Sequence, residues 1–323
     1  MRAHRLMVHV AIALAVWLVP APAQAADDYP NRPVRLIVGF AVGSAADIIA
    51  RIIGPKLADR LGQNFVIENR TGAGSSVAAE HTTRAPNDGY TLFMGGVANA
   101  VQTTFLPKLS FNFEKDLAPI ALVAELPQIL VVHPSVGAGS VKELIAVGKT
   151  KPLFFGSSGV GTVGNLSAAM FKAQTQTDVV MVTYKGSSLV MTDLLAGRLS
   201  GMFAVASTML PHVGSGRLKM LAVSLKRRMA LLPDIPTMSE AGVQGFEASL
   251  WFGLMAPAGT PQPIIDRLAR ATNEVLMMDD VTATLRKQGI GVLGGSPDEF
   301  ARHIRSETDK WAQALKGLNL KKN

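Results

Sequence analysis

The sequence predicts an α/β protein of two domains, each a sheet flanked by helices, with a ligand cleft between them. Three observations support this. Strand-like apolar runs alternate with helix-like amphipathic runs, the alternation happens twice, and 323 residues at 48% apolar and 17% charged suit two modest cores better than one.

The chain opens with a targeting segment. Arg2 and Arg5 precede a short apolar stretch, Val10 to Val19, that Pro20 ends. That stretch is too short to span a bilayer comfortably, and Ala23-Gln24-Ala25 offers small residues at a cleavage spacing. We therefore expect a signal peptide over 1–25, cleaved after Ala25, and a soluble, exported mature chain; an uncleaved anchor is the alternative. Removing the two arginines takes the formal net charge from +8 to +6 (8 − 2).

"VRLIVGF" (34–40) predicts a strand, followed by a helix from about Ala45 with Ile48, Ile49, Ile52, Ile53, Leu57 and Leu61 on one face. Pro55 should kink or divide it. "FVIEN" (65–69) and "GYTLFMG" (89–95) are the next strands, with a glycine turn and a short helix between them, an order that implies a parallel sheet. "APIALVAE" and "ILVVHP" read as separate strands parted by Leu126-Pro127. Ser140 with Glu143 forms a capping box. A second alternating set follows: "LFFGSS", a helix over 162–174, "VVMVTY", a helix over 187–196, "SGMFAVA" and "KMLAVS". After "LWFGLMAP" (250–257) the chain turns helical to its end, with Thr260-Pro261 and Ser296-Pro297 as helix starts. That tail must pack on an existing sheet, so the expected division is 26–127 plus 250–323 as domain 1 and 128–249 as domain 2.

Composition excludes several functions. With no cysteine there is no disulfide framework, thiolate metal site or cysteine nucleophile. Lys226, Arg227 and Arg228 form the one internal basic cluster, and no basic stripe interleaves with the 6% aromatic residues, so no nucleic-acid partner is expected. His81, His133, His212 and His303 are widely spaced, and no G-x-S-x-G elbow or Walker loop is present. We expect no catalytic residue, metal or cofactor.

One motif tests that expectation. Gly159, Gly161 and Gly164 spell G-x-G-x-x-G between a strand and a helix, with Asp178 downstream. In a dinucleotide fold the acidic residue ends the second strand; Asp178 precedes its strand, at the wrong end of the sheet. What survives is a glycine turn at a helix N-terminus, whose free N–H groups and partial positive charge suit an anion. Ser157, Ser158 and Thr162 add hydroxyls. Taken alone, the stretch reads first as a turn that needs glycine and caps its helix with Thr162, and only second as an anion site.

The arrangement recurs, however. Phe40, Ala41, Val42, Gly43, Ser44 and Ala45 follow the first strand, with Asp47 in the first helical turn; Gly96 and Val97 follow the third; Lys185, Gly186 and Ser187 follow "VVMVT". All sit at carboxyl ends of parallel strands, where open α/β sheets bind ligands. Asp47 also suits a helix-capping role, and Lys185 a solvated one.

At "YPNRPVRLIVGFAVGSAADIIAR", "VIENRTGAG", "APNDGYTLFMG", "YKGSSLVMTDLLAGRL", "LPDIPTMSEAG" and "WFGLMAPAGTP" the chain resembles the Bug family, periplasmic solute-binding receptors of tripartite tricarboxylate transporters. The likeness runs in order through the mature chain. It implies a type II-like two-domain periplasmic-binding-protein fold hinged on crossing strands. It also implies closure on a small carboxylate through backbone amides, hydroxyls and waters. The family's first loop commonly reads P-F-P-P-G-G-x-x-D; Phe40, Gly43 and Asp47 match, while Gly39, Ala41, Val42 and Ser44 differ. Asn165 stands where a histidine is common, and Ala204 where an aspartate is usual. The resemblance thus adds Ala204 to the candidate site.

The function expected is capture of a small organic carboxylate by a monomer that delivers it to membrane transporter subunits. The alternative is a ligand-presenting subunit for a membrane sensor, and a distant third is a nucleotide-dependent enzyme.

Overall fold

A computed structural model describes residues 28–105, 109–159, 161–184, 186–212 and 214–315. The predicted leader lies outside them. Among the described residues no helix is long and apolar enough to cross a membrane.

The first half begins with β1 (Val34–Val38), α1 (Ala45–Leu61), β2 (Phe65–Asn69), α2 (Ser76–Thr83), β3 (Thr91–Gly96) and α3 (Val97–Phe105). β1 lies between β2 and β3 and is parallel to both. Its residues alternate between the two faces of the sheet. Leu36 and Val38 join a core with Ile49, Ile53 and Leu57 of α1, while Ile37 joins another with Ala78 of α2 and Val101 of α3. Burial on both faces explains why these strands read as unbroken apolar runs.

Pro55 does not divide α1, which is one helix of 17 residues. Proline's ring disfavours helical geometry in the preceding residue by striking its Cβ, and Gly54 has none. Gly54 also lets α1 lie close on β2: a Cβ there would come within 3.1 Å of Ile67 Cδ1.

The second half repeats the plan. After β4 (Leu117–Val132) come α4 (Val141–Gly148), β5 (Leu153–Ser157), α5 (Val163–Thr175), β6 (Val179–Thr183), α6 (Ser187–Leu195), β7 (Gly201–Val205), the short α7 (Ala206–Met209) and β8 (Lys219–Val223). β5 lies between β6 and β7 and is parallel to both. Leu144 of α4 and Phe171 of α5 pack with Phe155 and Phe203 on one face; Val190 and Leu194 of α6 pack with Met202 and Ile129 on the other.

Each half has its own sheet, as expected, and the two share β4, which joins them into one run of ten strands in the order β2-β1-β3-β9-β4-β7-β5-β6, with β8 and β10 (Gly291–Val292) also on β4. The join is β9 (Ser249–Pro257) against β4, antiparallel. The two expected strands around Leu126-Pro127 are therefore a single strand of 16 residues. It pairs with β9 from Leu117 to Pro127 and with β7 from Gln128 to Val132. Pro127 falls where β4 exchanges one partner for the other, a position at which proline interrupts neither ladder.

The tail packs on the first half, as expected. α8 (Gln262–Leu276) and α9 (Asp279–Lys287) add Leu268, Val275 and Leu285 to the core of α1. Two details differ from the reading above: Pro261, not Thr260, holds the cap position of α8, because the Thr260 hydroxyl donates to the Pro257 carbonyl at 2.7 Å; and β10 interrupts the helices. α10 (Pro297–Leu315) opens with the predicted capping box, the Ser296 N–H donating to Glu299 at 2.7 Å and the Glu299 N–H to Ser296 at 3.2 Å.

α10 is fixed to the crossing strand by one buried carboxylate. Trp251 of β9 and Trp311 of α10 both donate their indole N–H to Glu307 Oε2, at 3.1 and 3.2 Å, and Lys310 pairs with Oε1. Phe300 lies edge-on to Trp251 at 5.8 Å, above Gly253. Glu307→Leu strands two buried indole donors and should cost about 2–6 kcal/mol in all. That corresponds to a fall in Tm on the order of 5–15 °C by differential scanning calorimetry; a variant melting with the wild type would contradict this account.

Candidate ligand-binding site

The sheet geometry turns the carboxyl ends of the two halves toward each other. β3 runs parallel to β4 and ends at Gly96, which pairs with Phe252, itself opposite Ala124. β7 runs antiparallel to β4 and ends at Val205, opposite Gln128. Ala124 and Gln128 are four residues apart, so the two strand ends converge to about 13 Å along β4.

A cavity of about 470 Å³ lies on the second-half side of this convergence. Ser157 and Ser158 reach it from the end of β5, Thr162 to Gly164 from the start of α5, Ser187 and Ser188 from the start of α6. Ala204, Val205 and Thr208 close one wall; Met191, Met202 and Leu250 supply apolar surface. No described residue lining it carries a charge. Six hydroxyls, one amide and two helix N-termini thus surround a space with a mild positive field and no formal cation.

The structure brings together Ser157, Ser158, Thr162, Ser187 and Ala204 of the sequence-derived candidates. Gly161 and Gly186 shape the adjoining loops with φ of +75° and +125°. Lys185 lies outside the described residues. The first-half candidates do not line this cavity. Phe40 packs edge-on against Phe252 at 6.2 Å, Gly96 is pressed on the Trp251 carbonyl, and Val97 is buried. Ala41, Val42 and Gly43 form an exposed loop tip. Leu250 and Phe252 share a face of β9, so the cavity wall and the Phe40 contact are adjacent on one strand.

Asp47 is the hub of that first loop. It is buried; Gly43 N–H donates to it at 2.9 Å, Arg51 Nε at 2.9 and 3.0 Å, and Asn69 Nδ2 at 2.9 Å. The Asp47 N–H is capped by the Ser44 hydroxyl at 3.3 Å. Burial alone would raise the Asp47 pKa, but the hydrogen bonds from Arg51, Gly43 and Asn69 outweigh it and hold the carboxyl below its ordinary range.

α5 begins the same way. Asn165 stands three residues after the cap, Thr162, as Asp47 does after Ser44; the Thr162 hydroxyl accepts the Asn165 N–H at 3.4 Å, and Asn165 Oδ1 accepts the Gly161 N–H at 3.2 Å. Its Nδ2 donates to the Ser157 hydroxyl at 3.2 Å. The N–H groups of Gly43 and Gly161 are therefore committed inside their own loops. The third glycine of the motif has a different reason again: a Cβ on Gly164 would lie 2.7 Å from the Phe203 carbonyl oxygen. Asp178 sits at the amino edge of the sheet, opposite the cavity, since β5 and β6 pair in parallel from Leu153–Val179 to Ser157–Thr183.

Sequence reasoning missed Gln128, Thr208 and the apolar wall. A signal for Gln128 was present: it is the one polar residue in the apolar run "LPQILVV".

Comparison with known proteins follows this geometry. A family model described as "Tripartite tricarboxylate transporter family receptor" matches residues 49–320. Protein BugT of Bordetella pertussis is 34% identical over 321 residues, 98% of each chain. Among solved structures, an R. palustris protein with adipate superimposes with a TM-score of 0.78 at 34% identity, covering 90% of this chain and 98% of that one. MatC from Rhodopseudomonas palustris with bound malate gives 0.74 at 29% identity, covering 89% and 100%.

The Asp47 hub has a pH signature. Because its folded pKa is lowered, the stability it contributes is present above its unfolded pKa, near 4, and is lost as the pH falls through the folded value. Asp47→Asn should cost about 1–3 kcal/mol at neutral pH, a deficit that narrows in urea titrations taken down to about pH 2. A deficit independent of pH would contradict it.

Proposed function

The chain belongs to the tripartite tricarboxylate transporter receptor family, and from that premise we propose that it captures a small organic carboxylate in the periplasm and passes it to membrane transporter subunits. The observation that carries this reading is the composition of the cavity: hydroxyls, one amide and the first turns of α5 and α6, with no charged side chain among its described residues. Such a site solvates an anion with neutral dipoles, as helix N-termini do elsewhere. The relatives solved with adipate and with malate support a carboxylate as the guest.

In this reading the first domain comprises 26–127 plus 250–323 and the second 128–249, with the leader over 1–25 removed. The second domain holds the ligand on Ser157, Ser158, Thr162 and Ser187 and on the N–H groups of Val163 and Gly164, which no helical carbonyl reaches. Closure about the β4–β9 crossing brings the Phe40–Ala45 loop and the Gly96–Val97 turn over it, offering the N–H group of Ala45 at the start of α1. Gly43, Asp47, Gly161 and Gly186 hold the loops in shape. The protein acts as a monomer and returns its ligand chemically unchanged.

Ala204 sets selectivity. It is buried in the cavity wall, so no carboxylate stands there to pair with an ammonium group. The ligand is a carboxylate without an amino group. In thermal-shift and calorimetric titrations, succinate and glutarate should bind more tightly than aspartate and glutamate. A carboxylate at a hundred times its Kd should add about 2.7 kcal/mol. That would raise Tm by on the order of 5–10 °C. Ala204→Asp should reverse the preference. Tighter binding of the amino acids by the unaltered protein, or no response to any mono-, di- or tricarboxylate, would refute the proposal.

A further inference from the structure

We propose that the side-chain amide of Gln128 is the anchoring donor for the ligand's carboxylate and a determinant of specificity, a role that rests on the cavity being the carboxylate site. Gln128 is 1% exposed, yet it lines the cavity. Its backbone is held from both directions by Ser224: the Gln128 N–H donates to the Ser224 hydroxyl at 2.9 Å, and its carbonyl accepts the Ser224 N–H at 2.9 Å. It pairs with Val205 at the point where β4 changes partner. Its side-chain oxygen lies against the first turn of α5, 3.7 Å from where a Cβ on Gly164 would stand. Its Nε2 is buried and makes no hydrogen bond within the protein.

A buried amide donor without a partner destabilises a fold, and an apolar side chain of the same length would not carry that cost. Retaining the amide makes physical sense if a ligand oxygen completes it. The hydroxyl of Ser157 is prepared in the same way. Its oxygen accepts from Asn165 Nδ2, which leaves its proton to turn toward the cavity. Gln128 and Ser157 are thus two donors fixed on strands, both without charge. They select a group rich in lone pairs and would repel a second donor such as an ammonium.

The test compares the wild type with Gln128→Met and the isosteric Gln128→Glu, using succinate, glutarate and adipate as probes. Gln128→Met should melt at or above the wild-type temperature without ligand, while its Kd for the tightest probe rises about tenfold to a hundredfold. Gln128→Glu, which sets a like charge against the ligand, should lose more affinity still at neutral pH. Unchanged affinity in Gln128→Met, or a ligand-free Tm that falls in step with affinity, overturns this role and leaves the carboxylate reading standing. Absence of carboxylate binding by the wild type overturns both.

Discussion

The antiparallel pairing of β4 with β9 is the constraint on which the rest depends. Each half of the protein is a parallel trio, β2-β1-β3 or β6-β5-β7, whose inner strand, β3 or β7, would present an open ladder edge if left unpaired. Both trios resolve this against the same pair of long strands. Because β4 carries β9 on its first stretch and β7 on its second, the trios sit in opposite senses at either end of one strand. Their carboxyl ends, with every glycine turn and helix start that follows them, are forced toward the changeover at Pro127–Gln128. The cavity at that place is a property of the topology before it is a property of any side chain.

Within that frame both halves use one local device. A glycine, a hydroxyl cap and, three residues after the cap, an acid or amide recur as Gly43-Ser44 with Asp47, Gly139-Ser140 with Glu143, and Gly161-Thr162 with Asn165. In each case the longer side chain returns to the glycine N–H. The turn is rigid because its most exposed donor is consumed internally, and the first N–H groups of the helix beyond it stay open. Where the device uses a charge, as at Asp47, it needs Arg51 and Asn69 to make that charge tolerable in a buried place. Where it uses Asn165, the spare amide hydrogen reaches Ser157 instead. The first helix of each trio thus opens with the same loop geometry, closed by a buried charge at Asp47 and by a neutral amide at Asn165.

Much of the fold was legible in the sequence because burial on both faces of a sheet leaves an unmistakable apolar run, and because Ser140-Glu143 and Ser296-Glu299 mark helix starts chemically. The errors have physical causes. Pro55 was read by its usual effect on helices, without the relief that Gly54 supplies. Pro127 split a strand on paper because a single sequence does not show that a strand can change partners there. The lining of the second-half cavity was legible through its hydroxyls and glycines. The first-half loops were legible as turns, but not as turns whose donors are already occupied; that depends on Asn69, 22 residues beyond Asp47. The signal at Gln128, a lone polar residue in an apolar run, acquires a meaning only beside the cavity that it lines.

The shared carboxylate of Glu307 has an optical consequence. Of the three tryptophans in the chain, Trp17 belongs to the predicted leader, and Trp251 and Trp311 are both tied to this one acid. Tryptophan emission from the described residues therefore originates at a single spot, where α10 rests on β9. Neither indole lines the cavity. A solute held in the cavity would touch neither indole, so a change in their emission on binding would report a shift at the α10–β9 contact.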